Sequence, residues 1–77
     1  MIFLIEYDRK NGRLIRMDRF QDSEADRAAK RRLDIELELN REKVIHEVVL
    51  LQAETEDALR QTHRRYFKSA REIATSS

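Results

Sequence analysis

A chain of 77 residues allows one domain, and at this size only about 60% of the unfolded surface is buried, so stability is thin without added help. The absence of cysteine excludes disulfide staples, thiolate metal sites and thiol nucleophiles. Sixteen basic residues against fifteen acidic ones leave a net charge of +1, too little to create an overall field toward nucleic acid or an anionic membrane.

Ile2-Phe3-Leu4-Ile5-Glu6-Tyr7 opens the chain as a strand over residues 2–8, with a second strand over 13–20 and the turn signal Asn11-Gly12 between them. A two-residue turn would set Tyr7 across from Arg16 and mix core with solvent. A three-residue loop, Lys10-Asn11-Gly12, sets Tyr7 opposite Ile15, Ile5 opposite Met17 and Glu6 opposite Arg16, an opposite-charge pair. Gly12, the only glycine, then takes the left-handed position at the end of the loop. The expected core face is Phe3, Ile5, Tyr7, Ile15 and Met17.

Asp22-Ser23 supplies cap oxygens for a helix to about Asn40, with Ser23 and Asp26 at capping-box spacing and Ala25, Ala29, Leu33 and Leu37 forming a stripe. Residues 33–39 also alternate with period two, a strand pattern. Their scarcity of β-branching and continuity with the alanine stretch favour helix. Val44 to Gln52 reads as a nearly unbroken apolar strand. Thr55 caps a last helix expected to run to about Ala74, with 72–77 fraying.

The expected fold is α+β, a single domain over 1–77 in the order ββαβα: a three-stranded mixed sheet with two helices packed mainly on one face. The crossover helix makes the second and third strands run the same way. The third strand pairs most simply with the first, which becomes central. The uncovered face would then carry Leu4, Leu14 and Phe20, with either Val44, His46, Val48 and Leu50 or Ile45, Glu47, Val49 and Leu51. An apolar patch of that kind marks an interface, and Leu4, Leu14, Phe20, Val48 and Leu50 are the expected interface residues. A homodimer joined through sheet faces or an exposed sheet edge would also support the thin core.

No pattern of catalytic grade is present. One glycine leaves no phosphate-binding loop, and no serine or threonine lies in a nucleophile-elbow context. The acids Asp34, Glu36, Glu38 and Glu42 read as the polar face of a helix, supported by spacings such as Asp26 to Lys30. His46 and His63 would need a third ligand such as Glu47 to hold a metal. They come from different elements without ligand spacing, so neither a metal nor another cofactor is expected. Arg60, Arg64, Lys68 and Arg71 fall within one arc of the last helix, where they could follow a phosphate backbone. A solvated basic face near the negative end of the helix dipole explains the same spacing.

The segment Glu47-Val48-Val49-Leu50-Leu51-Gln52-Ala53, followed by Leu59-Arg60-Gln61-Thr62-His63-Arg64-Arg65-Tyr66-Phe67, resembles the C-terminal half of short bacterial proteins without an assigned activity. The resemblance implies small size and a bacterial cytoplasmic origin, and it makes Thr62, His63, Arg65 and Tyr66 worth testing as a group. Their plain structural role is a helix packed through Tyr66. The opening apolar stretch is short for a signal peptide and lacks a basic leader, and no run approaches the ~20 apolar residues of a membrane span; cytoplasmic residence is expected. The expected function is a small non-enzymatic interaction module that self-associates through its sheet, with no small-molecule ligand identifiable. The alternative is a weak nucleic-acid binder using the basic helix face.

Overall fold

A computed structural model describes residues 1–67 of the chain. The elements are β1 (Ile2–Asp8), β2 (Arg13–Phe20), a 3-10 turn (Asp22–Glu24), α1 (Ala25–Glu42), β3 (Glu47–Gln52), α2 (Glu56–Thr62) and a second 3-10 turn (Arg64–Tyr66). This is the expected α+β arrangement in the order ββαβα, and residues 33–39 are helical. The sheet order is β2-β1-β3, with both outer strands antiparallel to β1. The two like-directed strands are kept apart by β1, so the sheet is antiparallel throughout rather than mixed.

Ile5 faces Met17 and Glu6 faces Arg16, as the charge-pair argument requires. The register then slips by one residue between Glu6 and Tyr7, so that Tyr7 faces Leu14 and Asp8 faces Arg13. A bulge of this kind gives the β2 strand one extra residue. Ile15 is turned outward and left 46% exposed, while Leu14 packs toward the core in its place. Gly12 sits at φ 65°, in the left-handed region expected of it.

Strand parity sends alternate side chains of β1 to opposite faces. Phe3, Ile5 and Tyr7 pack with Leu59 of α2 and with Tyr66; Leu14, Met17, Val49 and Leu51 complete this cluster. Leu4 packs on the other face with Ile35 of α1, Val48, Phe20, Leu39 and Leu50. The helices therefore lie on opposite faces, not together on one. Each layer is thin, but β1 is covered on both sides, and its first six residues are all buried.

α1 meets the sheet through Ala28, Ile35 and Leu39, not through the stripe Ala25, Ala29, Leu33 and Leu37. Leu33 and Leu37 are 54% and 53% exposed. The 3-10 turn that leads into the helix is fixed by the Gln21 amide donating to Glu24 Oε1 at 2.9 Å, a capping box two residues ahead of the expected Ser23–Asp26 pair. The exit is Lys43, at φ 59°, whose amide bonds back to the Asn40 carbonyl. Thr55 caps α2 as expected, its Oγ1 accepting from the Ala58 amide at 3.1 Å. The expected continuation to Ala74 fails at His63, whose backbone (φ −126°, ψ 52°) is not helical. Residues 72–77 lie outside the described residues.

Candidate functional site

Polar side chains gather at the hairpin end of the sheet, in two clusters separated by the sheet itself. His46, in the connection just before β3, lies on the α1 side beside Glu6, and Glu47, the first residue of β3, lies on the α2 side beside Tyr66. On the α1 side, His46 Nδ1 lies 2.7 Å from Glu6 Oε2, and its Nε2 lies 4.0 Å from Asp8 Oδ2. Arg16 Nε approaches the other Glu6 oxygen at 3.9 Å. Asp8 also organises the turn: Oδ1 accepts the Lys10 and Asn11 amides at 3.1 and 3.2 Å, and Oδ2 accepts Asn11 Nδ2 at 2.6 Å. The Asn11 side chain is the main reason that its carboxyl lies below the usual range.

On the α2 side, Glu47 accepts a short hydrogen bond from the Tyr66 hydroxyl and two from Arg65 Nη2, at 2.8 and 2.7 Å. The Tyr66 hydrogen bond, followed by Arg65, holds the Glu47 carboxyl below its ordinary value. Burial, reinforced by Glu47, pushes the Tyr66 hydroxyl up. Each shift fixes the protonation state that the hydrogen bond needs at neutral pH, and none poises a group near neutrality for proton transfer. Tyr66 also stands edge-on to Tyr7 at 5.2 Å, beneath the Arg65 guanidinium.

This packing explains the break at His63. Thr62 Oγ1 bonds back to the Ala58 and Leu59 carbonyls, an alternative for the backbone that weakens helix continuation. The 3-10 turn then swings Tyr66 beneath Tyr7 and Arg65 onto Glu47. Of the four residues singled out with the C-terminal segment, Arg65 and Tyr66 are thus tied to β3, His63 lies beside Tyr66 at 6.3 Å between rings, and Thr62 bonds only the backbone. Glu47, expected as a candidate third metal ligand or as part of an uncovered sheet face, is the acid that organises them. Its signal was strand parity alone.

The other expected sites are redistributed. Leu4 and Val48 are buried beneath α1, and Phe20 and Leu50 are half-buried in the same cluster, while Leu14 belongs to the opposite one. The uncovered sheet face expected from these five residues is absent, because the helices divide between the faces. Nor do the bases share one helix. Arg60 donates to Glu56 and lies over the Phe67 ring at 4.5 Å, and Arg64 begins the turn beyond the helix. Lys68 and Arg71 lie outside the described residues. Among the described residues no group of three or more metal-ligating side chains is arranged for a metal ion, and no helix is long and apolar enough to cross a membrane.

A cleft opens at this same end, between the Asp8–Asn11 turn and the connection from α1 to β3. The two outer strands differ in chemistry. β2 carries Arg13, Arg16, Asp18 and Arg19 and the bulge; β3 has Val48-Val49-Leu50-Leu51 in unbroken register against β1. No protein-family model, no curated protein and no solved structure matches the chain.

Proposed function

We propose that this chain is a small non-enzymatic interaction module that self-associates through its sheet, by pairing the outer edge of β3 with β3 of a second copy. The observation that carries this reading is the asymmetry of the two edges. Open strand edges invite pairing, and charges, bulges and prolines discourage it. β2 has both the bulge and the charges. β3 has four uncharged apolar residues in succession, and among the described residues no strand pairs with its outer side. Its only charged residue, Glu47, is engaged by Arg65 and Tyr66.

A second copy fits this edge better than a foreign strand. A twofold axis through β3 sets apolar residues opposite apolar residues in antiparallel register, with no like charges opposed along Val48–Leu51. Self-pairing through β2 would oppose arginines. The guarded β2 edges then end the assembly at a six-stranded sheet in a closed dimer.

Light scattering on a size-exclusion column should give twice the single-chain mass, unchanged between low and high salt. Amide hydrogen exchange should protect β3 on both its edges, in a concentration-dependent manner. A Val49→Lys variant that keeps its circular dichroism should run as a monomer. A wild-type monomer at all concentrations, or a dimer in which the outward β3 amides exchange freely, would overturn the reading.

A further inference from the structure

We propose that the cleft at the hairpin end binds a phosphate monoester with an apolar body. Its volume is about 770 Å³, inside the range of ~300–1,000 Å³ typical of small-molecule sites. One wall is the turn Asp8–Asn11, and the other is formed by Lys43, Ile45, His46 and Glu47.

Charge decides the class of ligand. Two acids, Asp8 and Glu47, line the cleft, and Arg65 already cancels Glu47. Asp8 remains against Arg9, Lys10 and Lys43. Lys10 and Lys43 enter no ion pair among the described residues, and Arg9 touches Glu47 only at 3.9 Å. Asp8 keeps its charge, but the Lys10 and Asn11 amides and the Asn11 side chain hold its carboxylate against the turn, which leaves three cations in the lining to one acid without a cationic partner closer than His46. One guanidinium and two ammonium groups carried by the two loops that line the cleft suit a doubly charged phosphate.

Two further features favour a bound ligand over a merely solvated basic rim. The backbone of both lysines is already fixed: the Lys10 amide bonds Asp8, and Lys43 is the left-handed cap of α1. A preordered site loses less entropy on binding. Ile45, lining the same cleft, is 93% exposed, the most exposed large apolar side chain among the described residues. It offers an apolar surface beside the cations, which a bare phosphate would leave uncovered and an ester's organic part would cover.

The test is a titration of the full chain with inorganic phosphate and with phenyl phosphate, followed by amide chemical shifts. Saturable shifts are expected at Lys10, Asn11, Lys43 and His46, with phenyl phosphate binding several-fold tighter. Lys10→Gln with Lys43→Asn should weaken both ligands by roughly tenfold or more. Asn is chosen at 43 because it tolerates the left-handed backbone, and circular dichroism checks the fold. Non-saturating shifts spread over surface bases, saturable binding unchanged in the double variant, or equal affinity for the two ligands would overturn the proposal. Dimerisation is not required for any of these outcomes.

Discussion

Glu6 is the one buried charged side chain among the described residues, and its environment shows how the hairpin end is stabilised. Its carboxylate has His46 at 2.7 Å and Arg16 at 3.9 Å. His46→Ala would leave a desolvated acid with one distant partner, at a cost of about 1–3 kcal/mol in urea unfolding at neutral pH. A loss below ~0.5 kcal/mol would show that water replaces the imidazole fully. Glu47 adds a pH dependence whose sign is fixed by its lowered folded-state pKa. Its contribution is complete above the ordinary value of 4.5 and is lost as pH falls through the lower folded value. Tyr66→Phe removes the main cause of that lowering while keeping the ring against Tyr7. It should cost about 0.5–1.5 kcal/mol at neutral pH and flatten the acid side of the stability curve. Unchanged acid sensitivity would assign that side to other carboxylates.

At the scale of elements, the strand and helix order was legible in the sequence, and the facing of the elements was not. The β1–β2 hairpin could be placed because Glu6 and Arg16, and Ile5 and Met17, point to a single register. The bulge escaped because Leu14 and Ile15 are both apolar, so hydrophobicity cannot say which one turns inward. Leu14→Ala should therefore cost about 2–5 kcal/mol if the pocket beside Tyr7 cannot close, and Ile15→Ala within ~0.5; the reverse order would place the bulge elsewhere. α1 misled in a related way. Leu33 and Leu37 make the more conspicuous stripe, but Ile35, Leu39 and Ala28 face the sheet. Denaturant unfolding should rank Ile35→Ala at about 2–5 kcal/mol and Leu33→Ala near zero. The end of α2 was invisible because Arg60 to Phe67 still shows helical spacing; the pull of Glu47 on Arg65 and Tyr66, with Thr62 bonded back onto its own helix, stops it.

For the whole molecule, the decisive fact is that two small helices serve two faces. The radius of gyration is 13.1 Å, against about 11 Å for a compact chain of this size. Parity left open which face of β3 would be buried, and the answer is both, which moved the exposed surface from the face to the edge. If that edge pairs with a second copy, the thermal midpoint should rise with protein concentration, as mass action requires; a midpoint constant over a hundredfold dilution would point to a folded monomer. The central position of β1 also bears on synthesis. It is the first of the three strands to be translated, yet Ile5 meets its β3 partner Val49 only 44 positions later. At ~5–20 residues per second, an apolar strand waits on the ribosome for about 2–9 s with one flank open. The nascent hairpin is thus the stage most exposed to chaperones or to neighbouring chains, before the finished protein has any edge to offer.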